Sequence, residues 1–243
     1  MHGTKADIVA RLQQEIILLQ RSVAVQQSPV LDIMIGPIKN AFPGNTFALG
    51  VIHEFIATGL EDAAATGGFV SSLMSGLMKK EGVAIWVGSN RSIFPPALKA
   101  FGITPDKVIF IDLHREKEIQ WAMEEALKCN AVAAVVGEMQ ELSFTASRRF
   151  QLAVEESGVT GFIVRRNPRK LEANACVTRW EIHSLPSIAA DDLPGVGFPR
   201  LQIKLLKVRN GKPGTWEVEW VAGRFKPVQH KNIFIAAQQK KVG

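Results

Sequence analysis

The chain has 243 residues, 47% of them hydrophobic, and a net charge of +6, which suits one large domain with short appendages and a sizeable core. Two cysteines, Cys129 and Cys176, make no disulfide framework and point to a reducing compartment. Charges at Lys5, Asp7, Arg11 and Glu15 exclude a signal peptide and no uncharged run is long enough to cross a bilayer, so we expect a cytoplasmic protein with no membrane partner.

Residues 1–28 read as an amphipathic helix and linker, with Ile8, Leu12, Ile16 and Leu19 on one face, a candidate partner surface. Turns follow at Gly36-Pro37 and Pro43-Gly44-Asn45. Val51 to Ile56 is an apolar strand. A loop at Gly59 leads to a helix capped by Asp62, with Phe69, Leu73 and Leu77 on one face, ending near Lys79-Lys80. Strands are expected at 83–87, 108–111, 132–136 and 159–164. They alternate with helices at 96–101, 116–128 (Ile119, Met123 and Leu127 inward) and 143–156 (Ala146, Phe150 and Val154 inward). Short apolar runs between amphipathic helices argue for a parallel sheet covered on both faces. Beyond Arg165 the pattern changes to a strand at 177–182, a loop over 186–199, and a hairpin. Leu201, Ile203 and Leu205 alternate on one arm of it, and Trp216, Val218 and Trp220 on the other. The expected fold is therefore α/β, a mostly parallel sheet flanked by helices and finishing in antiparallel strands. Residues 29–226 form the domain and 227–243 a flexible basic tail.

The stretch from Gly50 to Phe69 has the layout of a phosphate-cradling loop between a first strand and a first helix, without its chemistry. A working loop adds a Lys and a Ser/Thr to the backbone N–H groups. No Gly-Lys-Ser/Thr occurs between Ile56 and Phe69, and Glu61 and Asp62 repel phosphate. Gly59, Glu61, Asp62 and Thr66 thus mark a degenerate nucleotide loop. The histidines His53, His114 and His183 are scattered and no metal-ligand spacing appears, so neither a metal nor a cofactor is expected. Charge is uneven: residues 1–164 carry 14 Lys/Arg against 17 Asp/Glu, and residues 165–243 carry 15 against 6. A basic C-terminal third suits nucleic acid, an acidic partner, or ordinary solvation.

The phrase from Phe42 to Phe55, FPGNTFALGVIHEF, resembles the entry into the core of the RecA recombinase fold. The words AAATGGF (63–69), WAMEEAL (121–127), AVVGEM (134–139), TASRRFQLA (145–153), CVTRWEIHSLPS (176–187) and WEVEW (216–220) are similar, in order and spacing, to those of the ImuA family. These are RecA-like, damage-inducible mutagenesis proteins, and the match covers roughly residues 30–222. The resemblance implies a RecA-like core and an accessory role in error-prone translesion synthesis. The partners it implies are RecA and an ImuB-type, Y-family-like protein.

A RecA-type ATPase also needs an acid on the third alternating strand, a water-activating Glu and a γ-phosphate-sensing Gln. Glu138 stands at the first position, but Ser89-Asn90 and Val164-Arg165 stand at the others, so hydrolysis is not expected. The first recombinase DNA loop shrinks to the residues between Glu138 and Ser143. The second, between Val164 and Val177, holds Arg165, Arg166, Arg169 and Lys170, which can neutralise DNA phosphates, dock an acidic partner, or solvate the loop. Phe-x-x-Ala anchors occur at Phe94, Phe150 and Phe234 and carry little weight. The expected function is a non-catalytic adaptor. A nucleotide- and single-strand-DNA-binding ATPase and a SulA-type cell-division inhibitor are the alternatives.

Overall fold

A computed structural model describes residues 28–78, 82–89, 93–187 and 197–228. The expected N-terminal helix (Ile8, Leu12, Ile16, Leu19), Lys79-Lys80, most of the 186–199 loop and the tail from 229 lie outside them. Among the described residues nine strands form one sheet in the order β3-β2-β4-β5-β1-β6-β7-β8-β9. The parallel part is β1 (Ile52–Ala57), β2 (Ala84–Gly88), β3 (Val108–Asp112), β4 (Ala134–Met139), β5 (Thr160–Arg166) and β6 (Thr178–Leu185). Then β7 (Arg200–Val208), β8 (Gly214–Val221) and β9 (Arg224–Pro227) continue antiparallel from β6. This is the α/β architecture that the resemblance implies, consistent with a RecA-like core.

Among the described residues four α-helices cover the sheet: α1 (Pro29–Ile35), α2 (Gly59–Met78), α3 (Glu116–Leu127) and α4 (Phe144–Ser157). On one face α2 lays Phe69, Val70 and Leu73 onto Phe55, Phe162 and Trp180, and α1 packs beside it through Leu31 and Ile35. On the other face α3 (Ile119, Met123, Leu127) and α4 (Ala146, Phe150, Val154) cover Ile52, Val135 and Ile163. Alternate residues of each central strand enter opposite cores, so these strands read as continuous apolar runs. The antiparallel end buries one face only, through Ile182, Ile203 and Val218. Its other face pairs Glu181 with Lys204 and Glu219 with Lys226 across strands, as a solvated sheet face does.

Several boundaries differ from expectation. Helix α2 begins at Gly59, so Asp62 lies inside its first turn rather than at the cap position. The segment expected as helix at 96–101 is a 3₁₀ helix, Pro95–Phe101, stopped at left-handed Gly102. Strand β5 runs through Arg165 to Arg166 because the apolar neighbours β1 and β4 pair with it to its end. Pro227, expected in the tail, closes β9. Ser28, counted with the linker, caps α1 by accepting the Leu31 N–H at 3.4 Å, with Pro29 in the first turn.

Candidate functional site

In open α/β sheets, ligands gather beyond the carboxyl ends of the parallel strands. At that edge β1 ends at Ala57 and α2 starts at Gly59, so Thr58 is the whole connection. A phosphate cradle needs several consecutive N–H groups converging on one point, and one residue cannot supply them. The Gly59 N–H, on a backbone with φ of +81°, donates instead to Asn167 Oδ1 at 2.9 Å. Asn167 returns its own N–H to the Ala57 carbonyl at 2.9 Å, and its carbonyl accepts from Gln140 Nε2 at 3.2 Å. Glu61 and Asp62 occupy the first turn of α2, where the helix dipole favours negative charge and the chain supplies it internally. Asp62 Oδ2 accepts from Thr58 Oγ1 at 3.4 Å and lies 3.0 Å from His183 Nδ1. Thr66 is fully buried two turns into α2. The loop expected from Gly59 onward is therefore helix, and Thr66 belongs to the core rather than to a loop.

Glu138, near the end of β4, is 3% exposed. Its Oε1 accepts the Trp86 indole N–H at 2.6 Å, and Arg166 Nη1 lies 3.6 Å from Oε2. Gly88 makes room for it, since a Cβ there would lie 3.1 Å from the Glu138 Cβ. The carboxylate is enclosed by its own neighbours.

Of the four bases grouped as one cluster for DNA, an acidic partner or solvation, Arg165 is 1% exposed. Its Nη1 donates to Glu54 Oε1 at 3.1 Å and its Nε to the Gln140 carbonyl at 3.1 Å. Its Nη2 reaches Glu141 Oε2 at 3.2 Å and the Lys170 carbonyl at 2.9 Å. Arg165 therefore cannot serve as a surface phosphate contact, because its side chain turns inward to a carboxylate. Arg166 is half-buried, and only Arg169 and Lys170 are exposed. Glu54, fully buried at the centre of β1, also accepts from Arg179 Nε at 2.6 Å and Asn174 Nδ2 at 2.8 Å. Two guanidiniums and an amide thus compensate one buried carboxylate. Beside it, burial, and next the Glu54 charge, push the Cys176 thiol up to about 12, leaving an inert thiol.

Glu54 and Arg179 were not singled out from sequence, although a single acid inside the run from Val51 to Ile56 requires a buried partner. His53, on the opposite face of the same strand, forms part of another chain. Trp180 Nε1 donates to Thr178 Oγ1 at 2.6 Å, and Thr178 Oγ1 is 2.7 Å from His53 Nδ1. His53 Nε2 lies 2.8 Å from the Ala48 carbonyl, which can only accept, so the proton sits on Nε2 and Nδ1 accepts from Thr178. Burial lowers the His53 pKa to about 4, partly offset by the bond to Ala48. His53 is neutral and structural.

No protein-family model matches the chain. It is similar to Protein ImuA of Caulobacter vibrioides, strain NA1000 / CB15N, with 35% identity over 201 residues, 78% of this chain and 82% of the relative. The same figures hold for Protein ImuA of strain ATCC 19089 / CIP 103742 / CB 15. The chain belongs to the ImuA family. Among the described residues no helix is long and apolar enough to cross a membrane, and no three His, Cys, Asp or Glu side chains group as a metal site.

Proposed function

We propose that the chain is a non-catalytic adaptor of damage-inducible, error-prone translesion synthesis, acting by binding RecA and an ImuB-type partner. Family membership supports the assignment to the mutagenesis machinery. The one-residue turn between β1 and α2 carries the non-catalytic part. The Gly59 N–H that follows it is given to Asn167, and the helix it opens presents Glu61 and Asp62 where an ATPase presents amides and a Lys. Loss of the Lys and of the hydroxyl that holds Mg²⁺ removes most of the binding energy for a triphosphate. Direct DNA contact has weak support: Arg165 is internal and Arg166 is half-buried beside Glu138, leaving Arg169 and Lys170 at the surface.

The test is co-purification of the full chain with RecA, with and without single-stranded DNA and ATP, and with an ImuB-type protein, alongside an ATPase assay on the same preparation. Partner binding without turnover is expected. ATP turnover intrinsic to this chain, with RecA contamination excluded, would overturn the non-catalytic reading. Neither binding nor turnover would favour the cell-division-inhibitor class instead.

A further inference from the structure

Helix α1 has a single polar residue, Asp32, among its seven. The domain already uses it: Asp32 Oδ1 accepts the Phe47 N–H at 2.9 Å. One side of α1 rests on α2 at Gly76, where an added Cβ would lie 2.9 Å from Leu31 Cδ1 and 3.3 Å from Met34 Cε. The other side carries Val30, 57% exposed, and Ile33, 64% exposed, three residues apart. A surface helix turns polar side chains to the solvent, whereas a helix that is apolar all round is a buried one. Helix α1 thus has the composition of a helix covered on both sides, and the described residues cover one of them.

The place of α1 in the chain says what the cover is. Its cap, Ser28, lines a cleft of about 180 Å³ where the parallel strands begin, together with Leu49, Leu77, Val132 and Val159. Twenty-seven residues precede Ser28, with Ile8, Leu12, Ile16 and Leu19 at helical spacing and Ile17 and Leu18 besides. A helix over residues 4–20 is about 25 Å long and by itself marginal in water, so its apolar face needs a surface. Residues 21–27 span at most about 25 Å when extended, which starts the helix at the rim of the uncovered face and lets it lie back across it. A tether this short gives the helix an effective concentration in the millimolar range, which a separate protein does not match. We propose that the segment before Ser28 folds back on its own domain. The face of Ile8, Leu12, Ile16 and Leu19 covers Val30 and Ile33, and the linker passes the cleft beside Ser28. That face then belongs to the chain's own fold and not to RecA or an ImuB-type protein. The inference stands apart from the adaptor reading, because it involves no partner.

Hydrogen exchange on the full chain tests this. Amides over residues 4–20 should exchange about ten-fold or more slowly in the wild type than in the double variant Val30→Asp, Ile33→Asp, with protection of β1 and β5 unchanged. If the double variant loses protection in β1 as well, Leu12→Asp with Ile16→Asp, made outside the described domain, carries the comparison. Ala24→Cys supplies a second arm. A short bismaleimide added to dilute protein should join it to Cys129, the exposed thiol next to Asn130 of the cleft wall, while Cys176 is buried. The expected product has monomer size and forms more slowly in V30D/I33D. Unprotected amides over 4–20, protection that survives V30D/I33D, or a cross-linking rate indifferent to it would overturn the proposal. So would protection that rises with protein concentration or a cross-linked product of dimer size, either of which assigns the face of α1 to a second copy.

Discussion

Glu54 and His53 are neighbours in one strand whose side chains enter opposite faces of the sheet, and each makes a distinct prediction. Removing Glu54 leaves Arg165 and Arg179 facing one another beneath α4. Breaking such a buried pair costs about 3–5 kcal/mol, so Glu54→Ala and Arg165→Ala should each shift urea unfolding by that order. Arg169→Ala, an exposed change, should stay within about 0.5 kcal/mol. Equal effects at Arg165 and Arg169 would contradict the network. For His53 the folded pKa of about 4 lies below the ordinary 6.5. Between those values the unfolded chain binds more protons. The contribution is therefore complete above about pH 6.5 and is lost as pH falls toward 4, by roughly 3 kcal/mol in all. Denaturation of wild type and His53→Asn at pH 7.5 and 4.5 should show a less stable variant with a weaker loss across that interval.

Helices in this fold depend on caps and on close approach as well as on their apolar stripes. Ser143 starts α4 by accepting the Ala146 N–H at 3.1 Å, and Ser143→Ala should cost about 1 kcal/mol by thermal unfolding. Helix α3 lies so near the sheet that a Cβ at Gly137 of β4 would overlap Met123. Gly137→Ala should therefore destabilise by about 1–3 kcal/mol through overpacking, and in a double-mutant cycle that cost should shrink in the Met123→Ala background, where the overlapping sulfur is gone. Without that reduction, the strain would have to lie in the strand backbone. Most of these elements were legible because alternation and helical spacing survive in short, well-separated runs. The missed ones were short or built from non-repeating residues: α1 rests on one cap and a proline, and β9 has four residues. The Gly59 loop was misplaced for a related reason. Small residues suit a loop and a helix equally, and only the pairing of β1 to its last residue, Ala57, leaves no length for a loop.

Across the whole molecule, the charge asymmetry along the chain becomes partly internal. Arg165 and Arg179 from the basic third meet Glu54 from the acidic part, and Arg166 meets Glu138. The charge left for nucleic acid is smaller than the sequence total suggests. Changing Arg166, Arg169 and Lys170 together to Ala should lower the salt slope of any DNA binding by no more than about three ions, measured by fluorescence anisotropy against a labelled single strand. An unchanged slope would make these bases solvated surface. A steeper dependence than three contacts allow would require a DNA site elsewhere.

The sequence by itself determined the class of fold, the order of its layers, the absence of a Gly-Lys-Ser/Thr phosphate loop, and family likeness. These are properties of local composition and spacing, which need no knowledge of neighbours. Only the tertiary structure decided which charges are internal. A carboxylate in β1 finds its guanidiniums in β5 and β6, more than a hundred residues later, when parallel pairing brings those strands alongside.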